Sequence, residues 1–141
     1  MTFTGGCLCG SVRYEVRRKH LNAIHCYCGM CRKAHGTSFS THIILAKPDQ
    51  LVWVQGKERL KVYESSPNAY REFCERCGTH IFVHGQAGDD TAAIPAGTLD
   101  GDPGLTIVGH MYVENQVSWF SISDDLPQHP QWPPGLGPGA K

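Results

Sequence analysis

Long apolar runs, an excess of one charge and a leader-like start are all missing from this chain of 141 residues. No stretch approaches the roughly 18 apolar residues that a membrane-spanning helix needs, so we expect no membrane partner. The first six residues have neither a basic start nor an apolar run, which predicts no signal peptide and a cytoplasmic location. Because 13 basic side chains balance 13 acidic ones, bulk charge does not favour nucleic-acid binding either.

Helical periodicity is also scarce, whereas short strand-like runs are frequent. Residues Ser11–Val16 and Leu60–Glu64 alternate polar and apolar side chains, the pattern of a strand with one buried face. One helix is predicted, from Gly29 to a stop at Gly36. Short strands separated by Gly and Pro signals indicate an all-β sandwich or partly open barrel with little helix. The other predicted strands are Ser38–Ala46, ended by a breaker at Lys47–Asp49, then Leu51–Val54, Thr79–Val83, Thr91–Ile94, Val108–Val113 and Val117–Ile122.

The composition divides the chain into a domain, residues 1–128, and a tail, residues 129–141. The tail holds four prolines and three glycines, so it can neither form a regular element nor bury much apolar area. We expect it to be disordered or a loose strap, with Trp132 as a side chain that can dock on the domain.

The most informative residues present are seven cysteines, which form three tight clusters with none standing alone. An odd number is unusual in a disulfide framework, and two cysteines one residue apart would make a strained bridge. Closely spaced thiols in a reducing compartment are typical of metal ligands, and sulfur ligands favour zinc. The clusters are Cys7 with Cys9, then Cys26 with Cys28 and Cys31, and Cys74 with Cys77.

Seven thiolates divide as four plus three. Four complete a closed structural zinc site, whereas three leave an open position of the kind found in catalytic zinc sites. The run Cys74–Gly78 has the knuckle pattern of a closed site, and Cys7 and Cys9 lie between glycines that suit a sharp turn, so these pairs are predicted to share the closed site.

Spacing alone leaves other partitions open, such as Cys7, Cys9, Cys26 and Cys28 together. The middle cluster could also be a second structural site completed by a histidine. The candidate histidines are His25, His35, His42, His80 and His110.

Several segments resemble the glutathione-dependent formaldehyde-activating family, which also includes centromere-protein-V-like members. Residues Gly5–Tyr14 resemble its opening motif, and Cys26–Lys33 with Gly36 resembles its second motif, in which Tyr27 stands where the family commonly has His. The later matches, which extend the likeness over about residues 5–130, are Tyr63–Ser66, Arg71–Thr79, Gly97–Asp100, His110–Val113, Trp119 with Phe120, and Asp124–Pro127.

The resemblance implies a β-tent fold, in which sheets of short antiparallel strands meet at a structural zinc. It also implies a carbon–sulfur lyase that makes or cleaves S-hydroxymethylglutathione, the adduct of glutathione and formaldehyde. The structural zinc would be held by Cys7, Cys9, Cys74 and Cys77. A second, catalytic zinc with an open position would be held by Cys26, Cys28 and Cys31.

Four further side chains are predicted to bind a small thiol such as glutathione or its adduct. Arg32, Lys33 and Arg71 flank the metal motifs and could pair with substrate carboxylates, which arginine binds in a bidentate manner. Tyr27 could place its hydroxyl near the open position as a proton donor, or it could be a packed aromatic side chain. The alternative hypothesis is a zinc-stabilised binding module without turnover, and it differs from an enzyme in having no exchangeable ligand on the second zinc.

Overall fold

The structure, a computed structural model, describes residues 1–45, 50–85 and 92–137, and ten strands within these ranges form two sheets. No helix among the described residues is long and apolar enough to cross a membrane. In chain order the strands are β1 Thr2–Gly6, β2 Arg13–Arg17, β3 Asn22–Cys26, β4 Ser40–Leu45, β5 Leu51–Gln55, β6 Leu60–Ser66, β7 Ala69–Cys74, β8 His80–Gly85, β9 Ala92–Pro95 and β10 Thr106–Met111.

The small sheet has the strand order β1-β2-β5, and the large sheet has the order β10-β3-β4-β9-β8-β7-β6. One α-helix, α1 at Gly29–His35, and short 3-10 turns at Lys57–Arg59, Ala96–Thr98 and Val113–Asn115 complete the elements of the described residues. The predicted all-β class with little helix is confirmed, and α1 lies where the sequence predicted it. One pairing departs from the antiparallel expectation, because β10 runs parallel to β3.

The main hydrophobic core lies between the sheets. Tyr14 and Val16 on β2 are buried while the residues on either side of them are not, which is the predicted alternation. They pack in one cluster with Ile81 and Ile94 of the large sheet. Each such side chain contributes about 1.5–3 kcal/mol through removal from water. The Tyr14 hydroxyl keeps a partner inside the core, because it lies 2.7 Å from the Thr98 hydroxyl.

Three strands, β1, β3 and β7, have no counterpart in the predicted pattern. Strand β3 buries the adjacent residues Ala23 and Ile24, so polar and apolar residues do not alternate along it. The predicted strand at Val117–Ile122 is wrong, since Ser118 and Trp119 form a turn. The predicted ends at Ala46 and Thr91 and the predicted breaker at residues 47–49 lie outside the described residues.

The part of the tail that the structure describes, residues 129–137, lies against the domain. The His129 N–H donates to the His110 carbonyl at 2.8 Å, and the Tyr112 N–H donates to the Gln131 carbonyl at 3.1 Å. The ring of Trp132 packs edge-on against Tyr112, with ring centroids 6.1 Å apart. Residues 138–141 lie outside the described ranges, and the boundary after residue 128 stays a prediction.

A close backbone approach links β5 to the segment between β1 and β2. Gly56 has a φ of +76°, and a Cβ at this position would overlap the Ser11 carbonyl oxygen. We therefore expect Gly56→Ala to lower the free energy of unfolding by about 3 kcal/mol, because a left-handed backbone penalty of about 1–2 kcal/mol adds to the steric overlap. Urea unfolding measures this loss.

Two glycines provide matched controls for Gly56→Ala. Gly101 has a φ of +60° with open space where a Cβ would lie, so Gly101→Ala should cost only the backbone penalty of about 1–2 kcal/mol. Gly97 has neither constraint, so Gly97→Ala should change stability by less than about 0.5 kcal/mol. A Gly56→Ala loss no larger than that of Gly101→Ala would contradict the close approach.

Candidate functional site

The first cysteine cluster joins the two sheets. Cys7 and Cys9 follow β1, Cys74 ends β7, and Cys77 precedes β8. The four Sγ atoms all lie within 4.8 Å of one another, so the structure brings together the two pairs that were predicted to share a site. A tetrahedral metal with bonds of about 2.3 Å to sulfur has sulfur–sulfur edges of about 3.8 Å. The Cys7–Cys9 and Cys9–Cys74 sulfur distances of 3.6 and 3.8 Å fit that tetrahedron.

Two tight turns aim these sulfur atoms at a common point. The Gly10 N–H donates to the Cys7 carbonyl at 3.1 Å, and the Gly78 N–H donates to the Cys74 carbonyl at 2.8 Å. Both glycines adopt positive φ angles, +81° and +78°, which side chains other than glycine rarely adopt. The glycine after each cysteine pair is therefore the local cause of the knuckle geometry.

Polar groups around the first cluster contact three of its four sulfur atoms. The Val12 N–H donates to Cys7 Sγ at 3.2 Å, and the Ser11 hydroxyl lies 2.9 Å from Cys9 Sγ. Burial raises the pKa of the Cys77 thiol, but hydrogen bonds from the side chain and backbone of Thr79 outweigh it and lower the pKa to about 5. The thiolate form of Cys77 that these hydrogen bonds stabilise suits a metal cation.

The second cluster lies where β3 leads into α1. The Sγ atoms of Cys26, Cys28 and Cys31 lie within 4.8 Å of one another, as the second predicted group requires. Cys28 caps the helix, since its Sγ accepts the Cys31 N–H at 3.3 Å, and Gly36 in the left-handed conformation ends it. The start of the short helix thus brings the sulfur atoms of its N-cap and its first turn to the sulfur atom at the end of the strand.

Two buried polar side chains contact the Cys31 sulfur of this cluster. Arg71 Nη2 donates to Cys31 Sγ at 3.6 Å, and His42 Nε2 lies 3.8 Å from the same atom. Hydrogen bonds from Cys26 and Cys28, and then from His42, lower the pKa of Cys31 well below that of a free thiol. Arg71 is only 6% exposed. Its predicted role in binding a substrate carboxylate stays a prediction.

None of the five candidate histidines joins the second cluster as a fourth member within the described residues. His42 approaches Cys31 alone, and its Nε2 also lies 2.7 Å from the Ser40 hydroxyl. His25 bonds to the Thr41 hydroxyl at 2.8 Å, while His35 packs with its ring against His80. Two clusters of unequal number, four sulfur atoms and three, are therefore present in the described part of the chain.

Tyr27, between two of the cysteines, is fully buried, and its hydroxyl forms a hydrogen bond inside the protein. The hydroxyl lies 2.8 Å from His110 Nδ1, and the other ring nitrogen of His110 lies 2.9 Å from an Asp124 carboxylate oxygen. Burial raises the pKa of Tyr27 to about 12, which keeps its proton available for this bond. Tyr27 and His110 are separate candidates in the sequence, and no spacing signal connects them with Asp124.

The two remaining predicted residues, Arg32 and Lys33, line an open cleft of about 430 Å³ on the outer side of α1. The cleft is completed by residues that sequence reasoning did not assign to the site, namely Gly36, Thr37, Ser38 and Trp119. Trp119 belongs to one of the family motifs matched in the sequence. The structure adds that its ring lies at the surface, 72% exposed.

Known proteins are similar to this chain in sequence and in fold. A protein of Halomonas elongata that carries the name putative glutathione-dependent formaldehyde-activating enzyme is 31% identical over 130 residues, which are 86% of this chain and 82% of that protein. An uncharacterized lyase of Schizosaccharomyces pombe is 23% identical over 122 residues, 86% of each chain. A Rhodobacter sphaeroides crystal structure superposes with a TM-score of 0.61 over 77% of this chain and 99% of its own, and at 23% identity it supports the fold alone.

The sequence motifs therefore mark a relationship that covers most of the chain. The family described as glutathione-dependent formaldehyde-activating enzyme matches residues 2–115, which include all seven cysteines of the two clusters, and the chain belongs to that family.

Proposed function

We propose that this protein is a zinc-dependent carbon–sulfur lyase that acts on a small thiol adduct such as S-hydroxymethylglutathione. The observation that carries the proposal is the second cluster, in which three sulfur atoms gather and no fourth protein ligand joins them among the described residues. Family membership and the names of the relatives support the same reaction class. The intracellular setting expected from the sequence, a reducing cytoplasm, would keep these thiols free for metal.

The donor sets fit zinc at both clusters. All seven ligands are sulfur atoms, which favour zinc over hard cations such as magnesium. Four thiolates from two sheets suit a closed structural site, whereas three thiolates from one short segment suit a site with a position left for substrate. When bound there, zinc supplies Lewis acidity that favours the deprotonated form of a substrate thiol.

The protein side chains have separate roles in this proposal. Arg71 and His42 hold Cys31 in place and offset its negative charge, so that an incoming thiolate meets less repulsion. Tyr27, fixed through His110 and Asp124, holds the backbone between Cys26 and Cys28. A catalytic proton donation by the Tyr27 hydroxyl would require it to leave His110.

The reaction needs little covalent help from the protein. In the forming direction, the substrate sulfur bonds to the carbonyl carbon, the carbon–oxygen π bond opens, and the proton lost from sulfur ends on oxygen. Cleavage reverses each change. Formaldehyde is already electrophilic, so positioning of the thiol and stabilisation of its thiolate form supply most of the acceleration.

The difference between four and three ligands predicts two zinc ions of unequal affinity. We expect graded treatment with a chelator to remove one equivalent of zinc while the far-ultraviolet circular dichroism of the β-fold persists. Metal analysis of the dialysed protein measures the stoichiometry. Loss of both ions in one step, together with unfolding, would contradict separate structural and catalytic sites.

Serine substitutions distinguish the structural role proposed for the first cluster from the catalytic role proposed for the second. Cys74→Ser should destabilise the protein by about 3 kcal/mol or more, because it weakens a metal site that contributes directly to folding. Cys28→Ser should leave the melting temperature within a few degrees of wild type and remove the thiol response of the second metal. Thermal melts and thiol titrations of the two zinc-loaded variants test this, and equal thermal damage by both substitutions would refute the assignment of roles.

The reaction itself is tested by exchange NMR on S-hydroxymethylglutathione in equilibrium with glutathione and formaldehyde. Zinc-loaded protein should give a saturable acceleration over the protein-free background, and Cys28→Ser should abolish it. Lys61→Gln, on the exposed edge strand β6, is a matched control that should keep full activity. Absence of acceleration, with no thiol-induced change at the second metal, would favour a binding module without turnover.

A further inference from the structure

The described part of the tail, residues 129–137, is held beside the second cysteine cluster. Strand β10 ends at Met111, which is paired in register with Cys26 of β3. The next residue binds the tail, because the Tyr112 N–H donates to the Gln131 carbonyl at 3.1 Å. The tail is therefore attached directly after the strand that runs alongside the first of the three cysteines.

Two aromatic side chains at this attachment lie next to the cluster. Tyr112 and Trp132 are both partly buried against the small apolar cluster that includes Cys26 and Cys31, and Cys28 packs against the same cluster. Burial raises the pKa of the Tyr112 hydroxyl, and the negative charges of Cys28 and then Cys26 raise it further, which agrees with a hydroxyl close to these sulfur atoms. The tail thus adds a tryptophan to the surroundings of the three sulfur atoms.

The backbone of Tyr112 is held in an uncommon conformation at this junction. Its φ of +58° lies in the left-handed region, which residues with a Cβ rarely adopt. Its N–H is bound by the tail, and its carbonyl accepts the Asn115 N–H at 3.0 Å. Strained residues of this kind persist where the surroundings enforce them and are concentrated at functional sites. The orientation of the Tyr112 ring is therefore linked to the docked state of the tail.

The end of the described tail folds back onto Trp132. The Leu136 N–H donates to the Pro133 carbonyl at 3.1 Å, which forms the turn that reverses the chain. Gly137 has a φ of +100°, and a Cβ at this position would lie 2.7 Å from Cγ and Cδ2 of the Trp132 ring. The indole is therefore held between Tyr112 on one side and the backbone of the tail on another.

We infer that the tail is a strap that closes the second cysteine cluster, and that docking of Trp132 limits how readily molecules in solution reach Cys28. Cys26 and Cys31 are buried, whereas Cys28 is partly exposed, so molecules reach the cluster from the side of Cys28. A segment held by a few backbone hydrogen bonds and one aromatic side chain opens locally at a low free energy, without unfolding of the domain. The inference concerns entry to the cluster and does not depend on the reaction proposed there.

Alkylation of individual cysteines tests the strap on zinc-loaded protein. Iodoacetamide is a small reagent and fluorescein maleimide is a bulky one, and tandem mass spectrometry of the digested protein measures the rate at Cys28. Cys74 is buried in the main core and belongs to the other cluster, so its alkylation in the same sample measures opening of the whole domain. The variants are Trp132→Ala, which removes the docked ring, and Gly137→Ala, which displaces it.

Gly135→Ala is the matched control for Gly137→Ala. Gly135 also has a positive φ, +82°, but the place of its Cβ is open. Both substitutions therefore carry a left-handed backbone penalty in the same segment, and they differ in the overlap with Trp132.

We expect Trp132→Ala to raise the alkylation rate of Cys28 about threefold with iodoacetamide and about tenfold with fluorescein maleimide, because the bulky reagent depends more on opening of the strap. Gly137→Ala should raise the maleimide rate about fivefold, and Gly135→Ala should stay within about twofold of wild type. The rate at Cys74 should stay at its wild-type value in all three variants.

Three results would overturn the strap. The first is a Cys28 rate that does not change in Trp132→Ala and Gly137→Ala. The second is a parallel rise at Cys28 and Cys74, which would mean that the variants open the whole domain. The third is an equal rise in Gly135→Ala and Gly137→Ala, which would remove the contact with Trp132 as the cause. If Trp132→Ala does not fold, the comparison of the two glycine variants decides the question alone.

Discussion

The contact among four cysteine sulfur atoms is the constraint on which the rest of this structure depends. It ties the turn between β1 and β2 to the turn between β7 and β8, and so fixes the small sheet against the large one. The hydrophobic core between the sheets contains Cys7 and Cys74 themselves. A domain of this size has a modest core, so a metal held at the junction would stabilise the angle between two sheets that otherwise touch mainly through apolar side chains.

The second cluster depends on this frame but belongs to one sheet. Strand β3 and helix α1 carry its sulfur atoms, and the face of the large sheet opposite the main core supplies Arg71 and His42. A buried guanidinium and imidazole lie beneath the helix beside a small apolar cluster of Ile24, Cys26, Cys31 and Met111. Polar groups that are costly to bury are thus placed where they act on a thiolate, which is a pattern typical of functional sites.

Much of this arrangement could be predicted from the sequence because its signals are local. Alternation along β2 indicated a buried face, the cysteine spacing indicated two metal groups, and the glycines after Cys9 and Cys77 indicated the turns. What was missed depends on distant neighbours. Strand β3 is buried at consecutive positions and therefore lacks alternation, and the Val117–Ile122 run resembles a strand but turns at Trp119. The contact of Trp119 with Ser38, 81 residues away, leaves no trace in spacing or composition.

The separation of the ligands along the chain also sets the order in which a newly made protein can collect metal. Cys26, Cys28 and Cys31 lie within six residues, so they can surround an ion before any sheet exists. The other set cannot close until Cys9 meets Cys74, 65 positions apart, which requires loop closure and most of the strand pairing. If both clusters hold metal, the three-sulfur cluster would be able to bind it first during synthesis, and the four-sulfur cluster would be completed only when the strands have paired.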